Sequence, residues 1–259
     1  MVPLHDENPT RITPYVTWAI LALNVAVYLM QATGGMFEAR MGLAGPLAGW
    51  TMVPVEITQG LDAPTNGPSL QPFYLTILTS MFMHGGIMHI IGNLVYLVVF
   101  GNNIEDALGH ARFLVFYLVC GVLAALAQIF WNPLSSIPTL GASGAIAGVL
   151  GAYLLLFPHA RVNTLVFLGF ILTTIRLPAS ILLIFWIVSQ FFSQITGSLA
   201  TRPGQETGGV AYLAHIGGFV AGFLLVRLFG AQPTRPGGPG GNAAPYRFAP
   251  RGGGAGPFR

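Results

Sequence analysis

Lysine is absent from these 259 residues, and all eleven basic side chains are arginine. With no ε-amine to act as base, a Ser-Lys catalytic dyad is excluded. Charge of either sign is scarce: 7% of residues are charged and 53% hydrophobic, whereas a soluble domain carries about 25% charged residues. That balance excludes an ordinary water-soluble protein. The few aspartates, Asp6, Asp62 and Asp106, all fall outside the apolar runs, so a pair of membrane aspartates is missing, and no His-Glu-x-x-His stretch exists to hold zinc. The single cysteine, Cys120, permits no intrachain disulfide and reads as a small buried side chain.

What the chain does contain is apolar runs of membrane-crossing length, roughly 17 to 25 residues. Six are read as spans: Tyr15 to Gln31, His84 to Gly101, Phe113 to Phe130, Gly141 to Phe157, Pro178 to Gln194 and Gly208 to Phe229. The expected fold is an all-α membrane protein, a bundle of six transmembrane helices spanning residues 15–229. Residues 1–14 form a short N-terminus without the basic leader of a cleaved signal peptide. Residues 230–259 are Gly/Pro-rich with Arg235, Arg247, Arg251 and Arg259, and are expected to be a disordered tail.

Between the first two spans lies a long, moderately polar loop holding Glu38, Arg40, Glu56 and Asp62. Leu43, Leu47, Trp50 and Val53 would let part of it insert at the interface. Glu105, Asp106, His110 and Arg112 read as a short polar turn. Arg161 to Leu177 brackets an apolar stretch, Leu165 to Ile175, that is too short to cross and reads as interfacial or re-entrant.

Arginine placement sets orientation, because short cytoplasmic segments carry the excess of basic residues. The side holding both termini carries Arg11, Arg112, Arg161, Arg176, Arg227 and the four tail arginines; the other side carries only Arg40 and Arg202. The termini are therefore expected in the cytoplasm, and the composition suggests a bacterial plasma membrane. Spans two, four and six then run from outside to inside, so residues early in each share one layer. His84, His89 and Asn93 are early in span two, Ser143 in span four, and His215 about seven residues into span six, roughly 10 Å deep.

A hydroxyl attacks a carbonyl only if a base takes its proton, and neutral imidazole is the usual base. Ser143 and His215 could be such a pair, and ionisable groups in membrane helices are functional candidates. Gly141, Gly144 and Gly148 on one span and Gly217, Gly218 and Gly222 on the other would let the two backbones approach. Bland readings stand beside these. Gly144-x3-Gly148 could be a packing face whose serine bonds its own helix, His215 could bond a neighbouring carbonyl, and His89 and Asn93, one turn apart, could simply tie spans together. His84, His89 and His215 could also serve a small transporter as proton relay or metal site, though no carboxylate accompanies them and no inverted repeat is evident.

Three motifs in order, His84-x4-His89-x3-Asn93, Gly141-x-Ser143-Gly144 and Ala214-His215-x2-Gly218-x3-Gly222, resemble the rhomboid intramembrane serine proteases over about residues 15 to 229. The resemblance implies a Ser143 nucleophile and a His215 general base, with His89, Asn93 and the Ser143 backbone stabilising an oxyanion. Gly141, Gly144, Gly218 and Gly222 would pack the site, and His84 would sit near the cavity mouth. It implies a cavity open to the extracytoplasmic side, substrates that are single-pass transmembrane proteins in the bilayer, and no cofactor, metal or nucleic acid. Glu105 matches an acidic position at the inner end of the second span, and span five, with Phe191 and Phe192, matches the region of lateral substrate entry. A catalytically inactive escort of membrane proteins is the alternative from the same family, although such a protein would be expected to lack Ser143 or His215. Two features depart from the family: the first loop has no adjacent Trp-Arg pair, and Ala147 stands where some members place an aromatic ring on the base.

Overall fold

The structure is a computed structural model describing residues 1–33, 47–63, 68–169, 171–200 and 210–232. Glu38, Arg40, Leu43, Arg202 and the tail from 233 onward lie outside the described residues. In chain order the elements begin with strand β1 (Val2–Asp6), helix α1 (Tyr15–Thr33), a 3₁₀ turn (Ala48–Trp50) and two short helices, α2 (Pro54–Gln59) and α3 (Leu75–Thr79). A second 3₁₀ turn (Ser80–Phe82) leads to α4 (Ile87–Leu108), α5 (His110–Trp131) and α6 (Ser143–Leu156). Strands β2 (Arg161–Leu168) and β3 (Ile171–Pro178) precede the last two helices, α7 (Ala179–Ala200) and α8 (Tyr212–Leu225).

Helices α1, α4, α5 and α7 are long and apolar enough to cross a membrane, and α6 and α8 are shorter apolar helices of 14 residues. The chain is a multi-pass membrane protein. Its outer surface is correspondingly greasy: Trp18, Met88, Phe130 and Phe185 are all more than half exposed, as lipid-facing side chains are. The core runs through α4, α5 and α6, where Phe100, Phe113, Phe116, Tyr117 and Tyr153 are completely buried.

In secondary structure, Arg161 to Leu177 is strand rather than helix. It is a β-hairpin, with β2 and β3 paired antiparallel from Arg161 opposite Pro178 to Leu168 opposite Ile171, and β1 adds a third strand at the edge of β2. Val162, Thr164 and Val166 alternate inward while Phe167 stays exposed, the period of two that a strand requires. Because the outward positions are apolar too, the stretch reads in sequence as one continuous run. Pairing β1, ahead of α1, with β2, behind α6, requires an even number of crossings between them. Four apolar helices intervene.

Asp6 closes β1 onto the bundle: its buried carboxylate accepts hydrogen bonds from the Tyr153 hydroxyl at 2.7 Å and the Asn103 amide at 3.0 Å. Burial pushes this carboxyl above its ordinary range, against the opposing pull of the Tyr153 donor.

The expected polar turn at 105–112 is also revised. Glu105 and Asp106 belong to the last turn of α4, His110 and Arg112 open α5, and only Gly109, with φ +78°, makes the turn. Helix formation continues past Gly101 because the acids have work at its end. Glu105 is fully buried and accepts from the backbone N–H of Val16 at 2.9 Å and of Thr17 at 2.7 Å, as well as from the Thr17 hydroxyl. A helix's first N–H groups have no partner within the helix and carry its positive end, so this carboxylate caps α1 from a neighbouring helix. Asp106 does the same just upstream for the N–H groups of Arg11 and Ile12.

The loop after α1 is anchored without a Trp-Arg pair. Met52 and Thr139 exchange both backbone hydrogen bonds, the Val55 N–H donates to the Ser135 carbonyl, and the Thr79 and Thr58 hydroxyls donate to the Trp50 and Pro133 carbonyls. Val53 and Met52 are wholly buried in the fold, whereas Trp50 is partly exposed. Glu56, also buried, accepts from the Ala63 N–H and the Ser69 hydroxyl, which folds the loop over it.

Candidate active site

Helix α6 starts where the chain leaves a left-handed glycine. Gly141 has φ +131°, a conformation that side chains avoid, and its N–H donates to the Ser80 carbonyl. A Cβ here would also press on the His89 ring, so glycine satisfies both the turn and the close approach. Ser143 is the first helical residue, which leaves its backbone N–H among the donors that a helix cannot satisfy internally.

Against α6 packs α8, in the most extensive helix–helix contact among the described residues. Gly218 and Gly222 make that proximity possible: a Cβ on either would run into the backbone of Gly144 or Gly148 on the facing helix. Small residues at four-residue spacing are what close approach in lipid requires. The result is a hydrogen bond of 2.7 Å between Ser143 Oγ and His215 Nε2. Ser143 thus bonds across the helix pair, to a base 8% exposed, rather than back onto its own helix.

Around this pair the other expected residues are arranged unequally. The Nδ1 of His89 accepts from the Gly85 N–H at 3.3 Å, which leaves its other ring nitrogen as the donor, beside Gly141 and Ser143. Asn93 is buried, and its amide nitrogen has no hydrogen-bond partner among the described residues. His84 is fully buried beneath His89, with the two rings edge-to-face at 5.2 Å. Its backbone N–H donates to the Gln31 side chain.

Two residues that sequence reasoning missed come from α7. Gln190 Oε1 lies 2.7 Å from His215 Nδ1. Trp186, one turn earlier, sets its ring 5.7 Å from the imidazole at 36° and stacks on Phe219. With Ala147 lacking a ring, Trp186 flanks one side of the base, and Tyr212 meets it edge-on from its own helix. The signal for both was available: a tryptophan and an amide four residues apart lie on one face of a helix, and polar groups inside apolar spans usually have a partner.

A family model for the Rhomboid domain matches residues 72–232. The chain belongs to the rhomboid family. Among rhomboids it is similar to "Rhomboid protein 1, mitochondrial" of Saccharomyces cerevisiae, 30% identical over 163 residues, 60% of this chain and 43% of that protein. "RHOMBOID-like protein 4" of Arabidopsis thaliana is 27% identical over 83% of this chain and 49% of its own length. "Rhomboid protease GluP" of Bacillus subtilis is 27% identical over 84% of this chain and 35% of its own. The chain therefore spans less than half the length of each of these rhomboid relatives. The expected rhomboid-like helical bundle is what the structure has, with the three-stranded sheet as an addition.

Proposed function

We propose that this rhomboid is a serine endopeptidase that hydrolyses peptide bonds in or near transmembrane segments of other membrane proteins. The observation that carries this reading is the 2.7 Å bond between Ser143 Oγ and His215 Nε2, made across two helices in a chain with a relative named a protease. Ser143 Oγ attacks the substrate carbonyl carbon while its proton passes to His215 Nε2. The C=O double bond opens to a tetrahedral oxyanion. His215 then returns the proton to the leaving amine as the C–N bond breaks, and water hydrolyses the acyl-serine by the same route. The oxyanion takes donors from His89, the Asn93 amide and the Ser143 N–H; a preorganised donor of this kind is worth about 10²- to 10³-fold in rate.

A peptide carbonyl inside a helix is already hydrogen-bonded, so substrates would be single-pass segments able to unwind near the outer face. We assign residues 15–229 to a six-helix membrane domain between a cytoplasmic N-terminus (1–14) and a cytoplasmic tail (230–259). The arginine distribution supports that orientation, and the composition supports a bacterial inner membrane.

Covalent labelling of the purified, detergent-solubilised protein by a fluorophosphonate, which reacts only with activated serines, tests the assignment. Wild type should label, Ser143→Ala and His215→Ala should not, and Asn93→Ala should cleave a membrane substrate about 10²-fold more slowly. Labelling that survived in Ser143→Ala would end the nucleophile assignment.

A further inference from the structure

We infer that Gln190 is the third member of the Ser143–His215 pair, a positioning residue that holds His215 in the tautomer able to accept the serine proton. The inference rests on the serine-protease reading. A neutral imidazole carries one proton on one of its two nitrogens, and only the form protonated at Nδ1 leaves Nε2 free to accept from Ser143. What selects that form is whatever the Nδ1 side faces.

It faces Gln190 Oε1, and the orientation of this amide is itself determined by its neighbours. The amide nitrogen donates to Ser189 Oγ at 3.1 Å and approaches the Trp186 carbonyl at 3.4 Å, while the Ser189 hydroxyl donates to that same carbonyl at 2.6 Å. Turning the amide over would set its oxygen against a carbonyl and its NH₂ against His215, so the oxygen points inward. Donors then run in one direction: Ser143 O–H to His215 Nε2, His215 Nδ1–H to Gln190 Oε1, Gln190 N–H to Ser189 Oγ, and Ser189 O–H to the Trp186 carbonyl. Every member has one consistent protonation, and reversing any link breaks the next.

During attack, His215 becomes an imidazolium, and its Nδ1–H keeps the same acceptor, so no side chain must turn as charge develops. A neutral amide takes no proton, so Gln190 orients the base and does not relay. No carboxylate among the described residues hydrogen-bonds to His215; the titratable groups that face it are His89 from α4 and Tyr212 from its own helix. The role that a buried aspartate would fill in a triad falls to Gln190.

The test compares Gln190→Met, which keeps the length but removes the acceptor, with Gln190→Glu, which keeps an oxygen there. Met should lower kcat about 10- to 100-fold with KM held, because the base survives but is misprotonated for part of the time; Glu should recover most of that loss. Independently, ¹⁵N spectra of histidine-labelled protein should show His215 protonated at Nδ1 in wild type and not uniformly so in Gln190→Met, with His215→Ala identifying the signal. Wild-type kcat together with an unchanged Nδ1–H signal in Gln190→Met would overturn the inference. Failure of the serine-protease reading looks different: wild type would show no Ser143-dependent labelling, while the tautomer measurement would still decide what Gln190 does.

Discussion

Gly218→Ala adds a single methyl group at the crossing of α6 and α8, and the consequence can be worked from the contact it meets. The new Cβ would collide with the Gly144 carbonyl, which is backbone and has no rotamer to move into. Carbon contacts are comfortable at about 3.5 Å, so the two helices must part by on the order of 1 Å. Gly144 adjoins Ser143, and Gly218 lies one turn beyond His215, so the separation falls on the 2.7 Å bond between them and carries it past hydrogen-bond range. A misplacement of about 1 Å costs on the order of 10²-fold in rate. Overpacking costs about 1–3 kcal/mol, and the gain in helix preference on replacing glycine by alanine returns only about 0.5–1 kcal/mol, so strain wins. Gly92→Ala is the matched control: Gly92 is exposed on α4, and a Cβ there touches nothing. Fluorophosphonate labelling rates with thermal unfolding in detergent should show Gly218→Ala slow and less stable, and Gly92→Ala unchanged in rate. Gly218→Ala labelling at the wild-type rate in a folded protein would refute the reasoning.

Two further outcomes follow from the end of the bundle that holds Glu105 and Asp6. Glu105→Ala strips two backbone N–H groups of α1 and the Thr17 hydroxyl of their buried acceptor, and should cost about 3–5 kcal/mol in unfolding free energy; a loss below about 1 kcal/mol would mean that α1 is capped some other way. Asp6 has its folded-state pKa raised by burial above the unperturbed 3.8, so the native state binds this proton more tightly than the unfolded chain. Its contribution is therefore complete below the unfolded value and is lost as pH rises through the folded one. Asp6→Asn should flatten the decline in stability measured by melts from about pH 4 to pH 8, and an identical slope in the two proteins would contradict the assignment.

The Ser143–His215 contact could be anticipated because residue type restricts the chemistry, and the expected helix directions put both residues, with His89 and Asn93, in one layer. Gln190 could not be, since a neutral amide carries no titratable flag, and its meaning depends on how α7 is rotated against α8. The hairpin was hidden by Leu165 and Phe167, whose outward apolar side chains mask the alternation of Val162, Thr164 and Val166. The loop anchor was hidden for another reason: Met52 and Thr139 meet through backbone groups, which leave no trace in side-chain identity. Glu105 was noticed as a position, but its work as a cap needed the start of α1 beside it.

The pairing of residues 2–6 with 162–165 carries a consequence for the order of assembly. At a synthesis rate of roughly 5–20 residues per second, the first strand emerges on the order of 10 s before its partner exists. Until then the segment has no strand to pair with. Closing so long a loop costs little more than closing a moderate one, so the delay is one of availability rather than of entropy. The sheet is consequently a late event that inspects earlier ones: a chain whose α6 failed to insert would offer β2 on the wrong side of the membrane. Slow amide exchange in residues 2–6 would then mark molecules in which an even number of the intervening helices had crossed, and would exclude those in which a single one had failed.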